Sequence, residues 1–380
     1  MISQDACVKK TKILQYPPPL AAGGGVSNYM LNNIRYLDKA KFQFDFLSIS
    51  KEPVNIPGEL NELGCKLHYL SCYPSENKNK FIDELNLVFD ESYDILHLHT
   101  SFWKGFLIEE IAVQRNIPVI IVHSHSSNID VVDKDKRQEA LEVHEEVKAA
   151  FNADLATHFC ACSDKAADWL FGEQIPREKI IILNNAIDTE RFSYKPNIRD
   201  MARKELDIED SFVIGHIGRF SYAKNHEMLI NIFNKVIQKV PNAKLMLIGT
   251  GELMENVVNQ IENLGLSDKV LVLGYRNDTD VLLQAMDIFL LPSRFEGLGL
   301  VLIEAQSTGL KCLASEVVPR EAKITSNISF LPDNLNAWIK KTVEIANGSQ
   351  ARTDMSETVA EAGYSLKEKI DILHKIYLNR

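Results

Sequence analysis

The chain has 380 residues and a formal net charge of −10, with 45% hydrophobic and 25% charged residues. This length and composition suit two globular domains and exclude a disordered chain. The acidic balance argues against nucleic acid binding, and the first 190 residues, with 19 Lys and Arg against 28 Asp and Glu, argue against a broad basic membrane face.

Signatures of export and of disulfide or metal scaffolds are not found in the sequence. No apolar run approaches the roughly 18 residues that a membrane span needs, and the N-terminus does not resemble a signal peptide. The six cysteines show neither C-x-x-C pairs nor a metal-ligand spacing. We therefore expect a cytoplasmic protein with free thiols.

The first predicted elements are a strand, a glycine loop and a helix. Residues 12–16 (KILQY) are typical of a buried strand, and Gly23, Gly24 and Gly25 precede an apolar helical pattern that continues to Leu37. Backbone amides in such a loop can approach a pyrophosphate. A triple glycine alone is equally typical of a flexible turn.

Alternating strands and helices follow, with strands predicted at 42–48, 66–70, 95–99 and 119–123. This alternation predicts a parallel sheet covered on both faces, with ligands at the carboxyl ends of its strands. Two histidine pairs fall at such ends, His97 with His99 and His123 with His125. Because alternate strand positions share a face, and no Cys or carboxylate spacing supports a metal, we interpret them as polar strand ends.

The second half repeats this pattern after a polar stretch at 192–210. In FVIGHIGRFSYAKNHEMLI, a strand ends at Gly218, and Arg219 and Lys224 precede a helix near Asn225. A planar guanidinium and an ammonium suit a diphosphate, although two cations in a loop are often merely solvated. Later, KLMLIGTGEL and KVLVLGYRND each end a strand at a glycine, Gly249 and Gly274. The G-x-G of the former does not complete a dinucleotide fingerprint.

The stretch LPSRFEGLGLVLIEAQST predicts a short strand, a glycine turn and a helix that starts near Leu300. Glu296 lies in the turn and Glu304 on the helix, with seven residues between them. Free amides at a helix start attract anions, whereas carboxylates accept hydrogen bonds from hydroxyls. Phosphate together with a polyol describes a sugar nucleotide, but an ordinary strand-turn-helix with two solvated acids has the same pattern.

EGLGLVLIEAQSTG resembles the E-x7-E segment of the retaining glycosyltransferases of family 4. GRFSYAKNH, the asparagine-rich turn NNAIDTERF and the block CSDKAADWLFG also match in order, and the block is similar to the capsule and exopolysaccharide branch. The resemblance covers nearly the whole chain. It implies the α/β GT-B fold, with two Rossmann-like, doubly wound parallel-sheet domains that face a cleft.

The resemblance also implies the domain limits. Residues 1–190 form the acceptor-side domain, which a C-terminal helix within 360–380 completes by crossing back. Residues 191–359 form the nucleotide-sugar-binding domain.

The resemblance assigns donor binding to loop and helix-start residues: Gly24, Gly25, Arg219, Lys224, Gly249, Tyr275, Arg276, Glu296, Gly297, Leu298, Gly299, Leu300, Val301 and Glu304. The residues that would hold the diphosphate are Gly24, Gly25, Arg219, Lys224 and the amides of Leu300 and Val301. Glu304 would accept from the ribose, and Glu296 would face the donor sugar with the amides of Gly297 and Leu298 beside it. The catalytic residues it implies are Glu296, His123, Arg219 and Lys224. His125 and Asn185 are secondary candidates. Many relatives have proline where Leu298 stands.

The implied activity is transfer of a hexose or N-acetylhexosamine, with retention, from a nucleotide-diphosphate sugar to a glycan or lipid-linked acceptor. A UDP-sugar is the first choice of donor. No metal cofactor is expected if Arg219 and Lys224 neutralise the leaving group. We expect action in the cytoplasm, with weak peripheral contact at the inner membrane face left open. Two alternatives remain: a non-catalytic subunit that binds sugar nucleotides in a polysaccharide assembly complex, and a GT-B sugar-nucleotide epimerase.

Overall fold

The computed structural model describes residues 9–20, 24–349 and 351–378, so Gly23 of the glycine loop lies outside the described residues. The chain divides into two compact units. The first contains the described residues up to Ser126, Ala140–Leu183 and those from Lys369 onward. The second contains Ser127–Glu139 and Asn184–Glu368.

These bounds differ from the domain limits that the sequence suggested. The second unit begins at Asn184 rather than near residue 191, and it includes the segment 127–139. Ile129 of that segment is fully buried. The chain returns to the first unit at Lys369 rather than 360, because Tyr364 still donates a hydrogen bond from its hydroxyl to the carbonyl of Glu321 in the second unit.

The first unit contains a seven-stranded parallel sheet in the order β3-β2-β1-β4-β5-β6-β7. Its strands are β1 Thr11–Tyr16, β2 Phe42–Ile49, β3 Leu67–Leu70, β4 Ile95–Thr100, β5 Val119–Ser124, β6 His158–Ala161 and β7 Ile180–Ile182. Its helices are α1 Gly25–Tyr36, α2 Gly58–Glu62, α3 Lys78–Phe89, α4 Leu107–Gln114, α5 Lys134–Ala150, whose first turns lie in the second unit, and α6 Asp164–Phe171. Every residue of β5 is buried, as expected for a parallel strand covered on both faces.

The second unit contains a six-stranded parallel sheet in the order β10-β9-β8-β11-β12-β13. Its strands are β8 Phe212–Ile217, β9 Ala243–Ile248, β10 Val270–Val272, β11 Ile288–Leu291, β12 Lys311–Ser315 and β13 Ile328–Leu331. Its helices are α7 Pro196–Glu205, α8 His226–Val236, α9 Met254–Asn263, α10 Thr279–Ala285, α11 Leu300–Ser307, α12 Leu335–Ala346 and α13 Ser356–Val359. The predicted pair of doubly wound sheets is thus confirmed.

The last helix, α14 (Leu366–Leu378), packs on the first unit, as the resemblance implied. Tyr377 is fully buried, and its ring centroid lies 5.8 Å from that of Phe42 and 6.4 Å from that of Phe44. Burial of this large ring anchors the helix end, since apolar area removed from water is the main favourable contribution to folding.

Each sheet reverses its strand order at one point, between β1 and β4 in the first unit and between β8 and β11 in the second. Open parallel sheets bind ligands beyond the carboxyl ends of the strands at such a point. In the second unit this position is occupied by the loops after β8 and β11, which carry Lys224 and Glu296. No helix within the described ranges is long and apolar enough to cross a bilayer.

Candidate functional site

Lys224 and Glu296, predicted to contact different parts of a donor, form one ion pair in the second unit. The Nζ atom of Lys224 lies 2.5 Å from Oε1 of Glu296, and Ser293 donates to the same oxygen at 2.6 Å. The two charged side chains are only 19% and 10% exposed. A pair this sheltered interacts more strongly than a surface salt bridge.

The two loops that carry this pair are also joined through their backbones. The amide of Arg294 donates to the carbonyl of Ala223 at 2.7 Å, and its guanidinium donates to the carbonyl of Tyr222 at 2.8 Å. Asn225, in the left-handed region at φ 54°, donates its side-chain amide to the carbonyl of Pro292 at 3.1 Å. The two loops are therefore held together around the ion pair before any ligand binds.

Arg219 stands in the loop after β8 with an exposed side chain that hydrogen-bonds to none of the described residues. This leaves its guanidinium available for a ligand. The ammonium of Lys224 can bind a ligand only if it leaves the Glu296 carboxylate or contacts both at once. The loop lies close to its neighbour after β9: a Cβ on Gly249, at φ +135°, would stand 2.1 Å from the carbonyl oxygen of Gly218. Glycine is required there for close approach.

The start of α11 follows the loop after β11, which carries Glu296. Gly299, at φ 82°, is the N-cap, and no side chain caps the helix. The first turn contains no acidic residue, so the amides of Leu300 and Val301 face an uncompensated positive end of the helix dipole. Leu298, at the position where many relatives have proline, is buried at 3% exposure.

Glu304, one helical turn further along α11, is half-buried. Burial raises the pKa of its carboxyl to about 8, with Arg191 acting to lower it and Asp280 to raise it. Arg191 itself binds Asp280 at 2.6 Å and the carbonyl of Asn277 at 2.6 Å. Sequence reasoning missed Arg191, whose place in the turn NNAIDTERF was the signal available.

Tyr275 and Arg276, which the resemblance assigns to donor binding, differ in how their side chains are placed. The Tyr275 side chain is 48% exposed, directly after Gly274. Arg276 instead pairs with Asp278, at 2.8 Å from its Nε atom. Tyr275 is therefore the freer of the two to contact a planar ligand.

In the first unit, the four histidines meet at the ends of β4 and β5. Nδ1 of His97 lies 2.7 Å from the Tyr377 hydroxyl, Nε2 of His97 lies 3.3 Å from Nδ1 of His123, and Nδ1 of His99 lies 2.9 Å from Nε2 of His125. Burial lowers the pKa of His97 and of His125 to about 3, and puts those of His99 and His123 well below the ordinary value. All four rings are thus neutral near pH 7.

His97, His99 and His123 also place one nitrogen each within 4.8 Å of one another, which is a set that could hold a metal ion. The neutral imidazole that burial enforces is the form that binds metals. The same rings, however, already serve as hydrogen-bond partners of one another and of Tyr377. Their interpretation as polar strand ends stays a prediction.

The remaining predicted residues are two glycines of the first unit and one asparagine of the second. Gly24 and Gly25 are exposed at the start of α1, where a Cβ on either would meet nothing within 4 Å. Asn185 belongs to the second unit, and its side-chain oxygen is buried without a hydrogen-bond partner in the described part of the chain. Sequence reasoning also missed Ser293 and Arg294. Ser293 donates to Glu296, three positions along the same loop, whereas the bond from Arg294 to Tyr222 joins residues 72 positions apart.

The arrangement in the second unit suits an anion with attached hydroxyls. It places cations and uncapped amides at the carboxyl ends of two central strands, and the same unit contains the carboxyl groups of Glu296 and Glu304 and the exposed ring of Tyr275. Cations and amides bind phosphate, and carboxylates accept from hydroxyls.

Comparison with known proteins agrees with this chemistry. Residues 23–191 match the family described as Glycosyltransferase Family 4, and residues 198–359 match Glycosyl transferases group 1. EpsF of Bacillus subtilis (strain 168), assigned as a glycosyltransferase, is 30% identical over 363 residues, which is 93% of each chain. The Escherichia coli UDP-Gal:alpha-D-GlcNAc-diphosphoundecaprenol alpha-1,3-galactosyltransferase is 25% identical over 80% of each chain. The Staphylococcus aureus capsular polysaccharide biosynthesis glycosyltransferase CapH is 24% identical over 84% of this chain and 87% of its own.

Solved structures share the fold at lower identity. Anabaena HepE in complex with UDP and glucose superposes with a TM-score of 0.74 at 16% identity, covering 97% of this chain and 99% of its own. A glycosyltransferase from Rickettsia africae gives a TM-score of 0.75 at 18% identity over 98% of each chain. The chain therefore belongs to the glycosyltransferases of family 4, with the GT-B fold and with a capsular polysaccharide biosynthesis glycosyltransferase among its relatives.

Proposed function

We propose that this protein is a retaining hexosyltransferase that takes a hexose or N-acetylhexosamine from a nucleotide-diphosphate sugar, with a UDP-sugar as the first choice. The acceptor is a glycan or a lipid-linked oligosaccharide in capsule or exopolysaccharide biosynthesis. The names of CapH and of the galactosyltransferase support this substrate class. Glycan transfer would take place in the cytoplasm, at the inner membrane face where the acceptor is lipid-linked.

The observation that carries the proposal is the Lys224–Glu296 pair beside the uncapped start of α11. A donor diphosphate would compete with Glu296 for the ammonium of Lys224. Once Lys224 contacts phosphate, the Glu296 carboxylate is free to accept hydrogen bonds from hydroxyls of the donor sugar. One pair can thus serve both parts of the donor.

The chemical step is departure of a nucleoside diphosphate from the anomeric carbon. Negative charge grows on the leaving group, and Arg219, Lys224 and the amides of Leu300 and Val301 would stabilise it. The bonds between the loops fix their backbones before reaction, so only the side chains of Arg219 and Lys224 have to turn toward the phosphates. No metal is invoked, because the two cations supply the neutralising charge. The acceptor attacks from the face that the leaving group vacates, which gives retention.

Glu304 and Tyr275 would recognise the nucleoside. Glu304 is about 6 Å along the helix from Leu300, at ~1.5 Å per residue, which suits a ribose attached to the diphosphate. The exposed Tyr275 ring offers a surface for the base. His123 is assigned to the transferred sugar and His125 and Asn185 remain secondary candidates, while Gly24 and Gly25 would approach the diphosphate.

A donor panel tests this function against the two alternatives. The protein is incubated with UDP-, GDP- and dTDP-sugars, and the donor that raises the melting temperature is identified. Nucleoside diphosphate release is then measured with and without a glycan acceptor. Release that requires acceptor supports a transferase. A thermal shift with no release on any acceptor tested would favour the binding subunit, and conversion of the sugar without transfer would favour an epimerase.

A further inference from the structure

The segment Ser127–Glu139, named here the strap, lies on the loops that carry the ion pair. It follows β5 in the chain but belongs to the second unit. Ser127 donates from its hydroxyl to the backbone carbonyl of Glu296 at 2.7 Å. Ile129 is fully buried, whereas the other residues of the strap are half-buried or exposed.

A second bond joins the strap to the other loop. The Asp130 carboxylate accepts from the backbone amide of Ala223 at 2.9 Å. Ala223 immediately precedes Lys224 and lies in the same short turn, Tyr222–Lys224. This hydrogen bond therefore restrains the backbone from which the Lys224 side chain extends.

A third contact is shared by the strap and both loops. The guanidinium of Arg137, from the strap, lies 3.7 Å from the centroid of the Tyr222 ring. The guanidinium of Arg294, from the loop after β11, lies 4.6 Å from the same centroid. Arg137 also donates to the carbonyls of Val131 and Val132 at 2.6 and 3.1 Å, which fixes the shape of the strap itself. Guanidinium groups on an aromatic ring are attractive contacts.

We propose that the strap is a positioning element for the Lys224–Glu296 pair, with Ser127 holding the Glu296 loop and Asp130 holding the Lys224 loop. The inference rests on the proposed function, in which this pair acts on the donor. Neither Ser127 nor Asp130 touches substrate in this view. Each sets the backbone from which a functional side chain extends, and displacements of about 1 Å at such a side chain can cost a hundredfold in rate.

The experiment compares variants that keep or remove each hydrogen-bonding atom. Asp130→Ala removes the acceptor, whereas Asp130→Asn keeps an oxygen acceptor and loses only the charge. Ser127→Ala removes the hydroxyl, and Ser127→Thr keeps it. Asp135→Ala is the matched control, because Asp135 is an exposed acid of the same strap.

Two kinds of measurement are made. Steady-state kinetics give kcat and KM for the donor, and hydrogen–deuterium exchange follows the peptides around Ala223 and Glu296. We expect Asp130→Ala and Ser127→Ala to lower kcat by about 5- to 30-fold with smaller changes in donor KM, and to speed exchange in the loop that each residue holds. Asp130→Asn, Ser127→Thr and Asp135→Ala should stay within about threefold of wild type.

Unchanged exchange and kcat in both alanine variants would overturn the proposal. An Asp130→Asn variant as slow as Asp130→Ala would also overturn it, because the charge and not the bond would then matter. If the wild-type protein turns over no nucleotide sugar while the alanine variants still exchange faster, the proposed function fails and the holding role of the strap stands.

Discussion

The ammonium of Lys224 and the carboxylate of Glu296 lie 2.5 Å apart in a sheltered position, although 72 residues separate them in the chain. Removing one member of such a pair leaves the other charge poorly solvated, which costs more than the pair contributes net. The two residues are therefore coupled in stability as well as in function.

Lys224→Ala should reduce both stability and catalysis. Loss of the cation leaves Glu296 without its partner, and we expect a decrease of about 1–3 kcal/mol in the free energy of unfolding. Loss of the diphosphate contact should cost about 2–4 kcal/mol in kcat/KM. Urea unfolding and steady-state kinetics on the identified donor measure the two effects.

The double variant Lys224→Ala/Glu296→Gln separates these effects. Its stability should exceed that expected from adding the single changes, since no unpaired charge remains, but its activity should not recover. Lys235→Ala, at an exposed position on α8, is the control for loss of a positive charge. Strict additivity in stability would show that the ion pair is not coupled.

The sequence predicted the alternating elements and both loops, because strand–loop–helix repeats are local patterns. It also located Glu304 on a helix that begins at Leu300, as observed. The direct bond between Lys224 and Glu296 could not be predicted, because it depends on which loops meet where the strand order reverses. The strap was missed for a similar reason. Nothing local in its polar sequence shows which unit it joins, whereas the hydrogen bonds of Ser127 and Asp130 in the folded protein do.

Glu304→Gln and Glu296→Gln should have different kinetic defects. Ribose is unchanged by the reaction, so a contact from Glu304 is equal in the ground and transition states. Glu304→Gln weakens this contact, because an amide oxygen is a poorer acceptor than a carboxylate oxygen, and should mainly raise donor KM. Glu296 faces the sugar, where charge develops, and its loss should mainly lower kcat. Initial rates over a range of donor concentrations distinguish the two, and the same defect in both variants would reject the assignment.

The stability of the wild-type protein should also depend on pH through Glu304. Its pKa is raised from 4.5 to about 8 by burial, so the folded state holds a proton that the unfolded state has released. Between pH 4.5 and about pH 8 the free energy of unfolding falls as pH rises. The stabilising contribution of the proton on Glu304 is complete below pH 4.5 and lost above about pH 8. Glu304→Gln, which stays neutral, should gain stability relative to wild type between about pH 5 and about pH 9.

Urea unfolding of the wild-type protein and of Glu304→Gln at about pH 5 and about pH 9 measures this difference. Glu316→Gln removes an exposed carboxylate and should follow the wild-type dependence on pH. An identical pH dependence for wild type and Glu304→Gln would mean that Glu304 is ionised throughout the range.

Gly249→Ala should destabilise the second unit strongly. A Cβ at this position would lie 2.1 Å from the carbonyl oxygen of Gly218, and the residue has φ +135°. We expect a loss of about 3 kcal/mol or more, together with loss of activity because the Arg219 loop must shift. Gly265→Ala is the matched control: its φ is +65° but nothing lies within 4 Å, so it should cost only about 1 kcal/mol. Equal losses in thermal unfolding would show that the close approach to Gly218 is unimportant.

Treatment with EDTA should leave glycosyl transfer unchanged. The reaction proposed here neutralises the leaving group with Arg219 and Lys224, and the histidines of the first unit are hydrogen-bonded to one another and to Tyr377. Because His97, His99 and His123 could still hold an ion, the metal content of the purified protein is measured alongside activity, before and after chelation. His99→Gln serves as the companion variant, since it removes one nitrogen of this set and should not alter metal content. Stoichiometric metal in the wild-type protein that is lost in His99→Gln would contradict the interpretation of these histidines as polar strand ends. Activity that falls on chelation and returns with a divalent ion would contradict the proposal that Arg219 and Lys224 suffice to neutralise the leaving group.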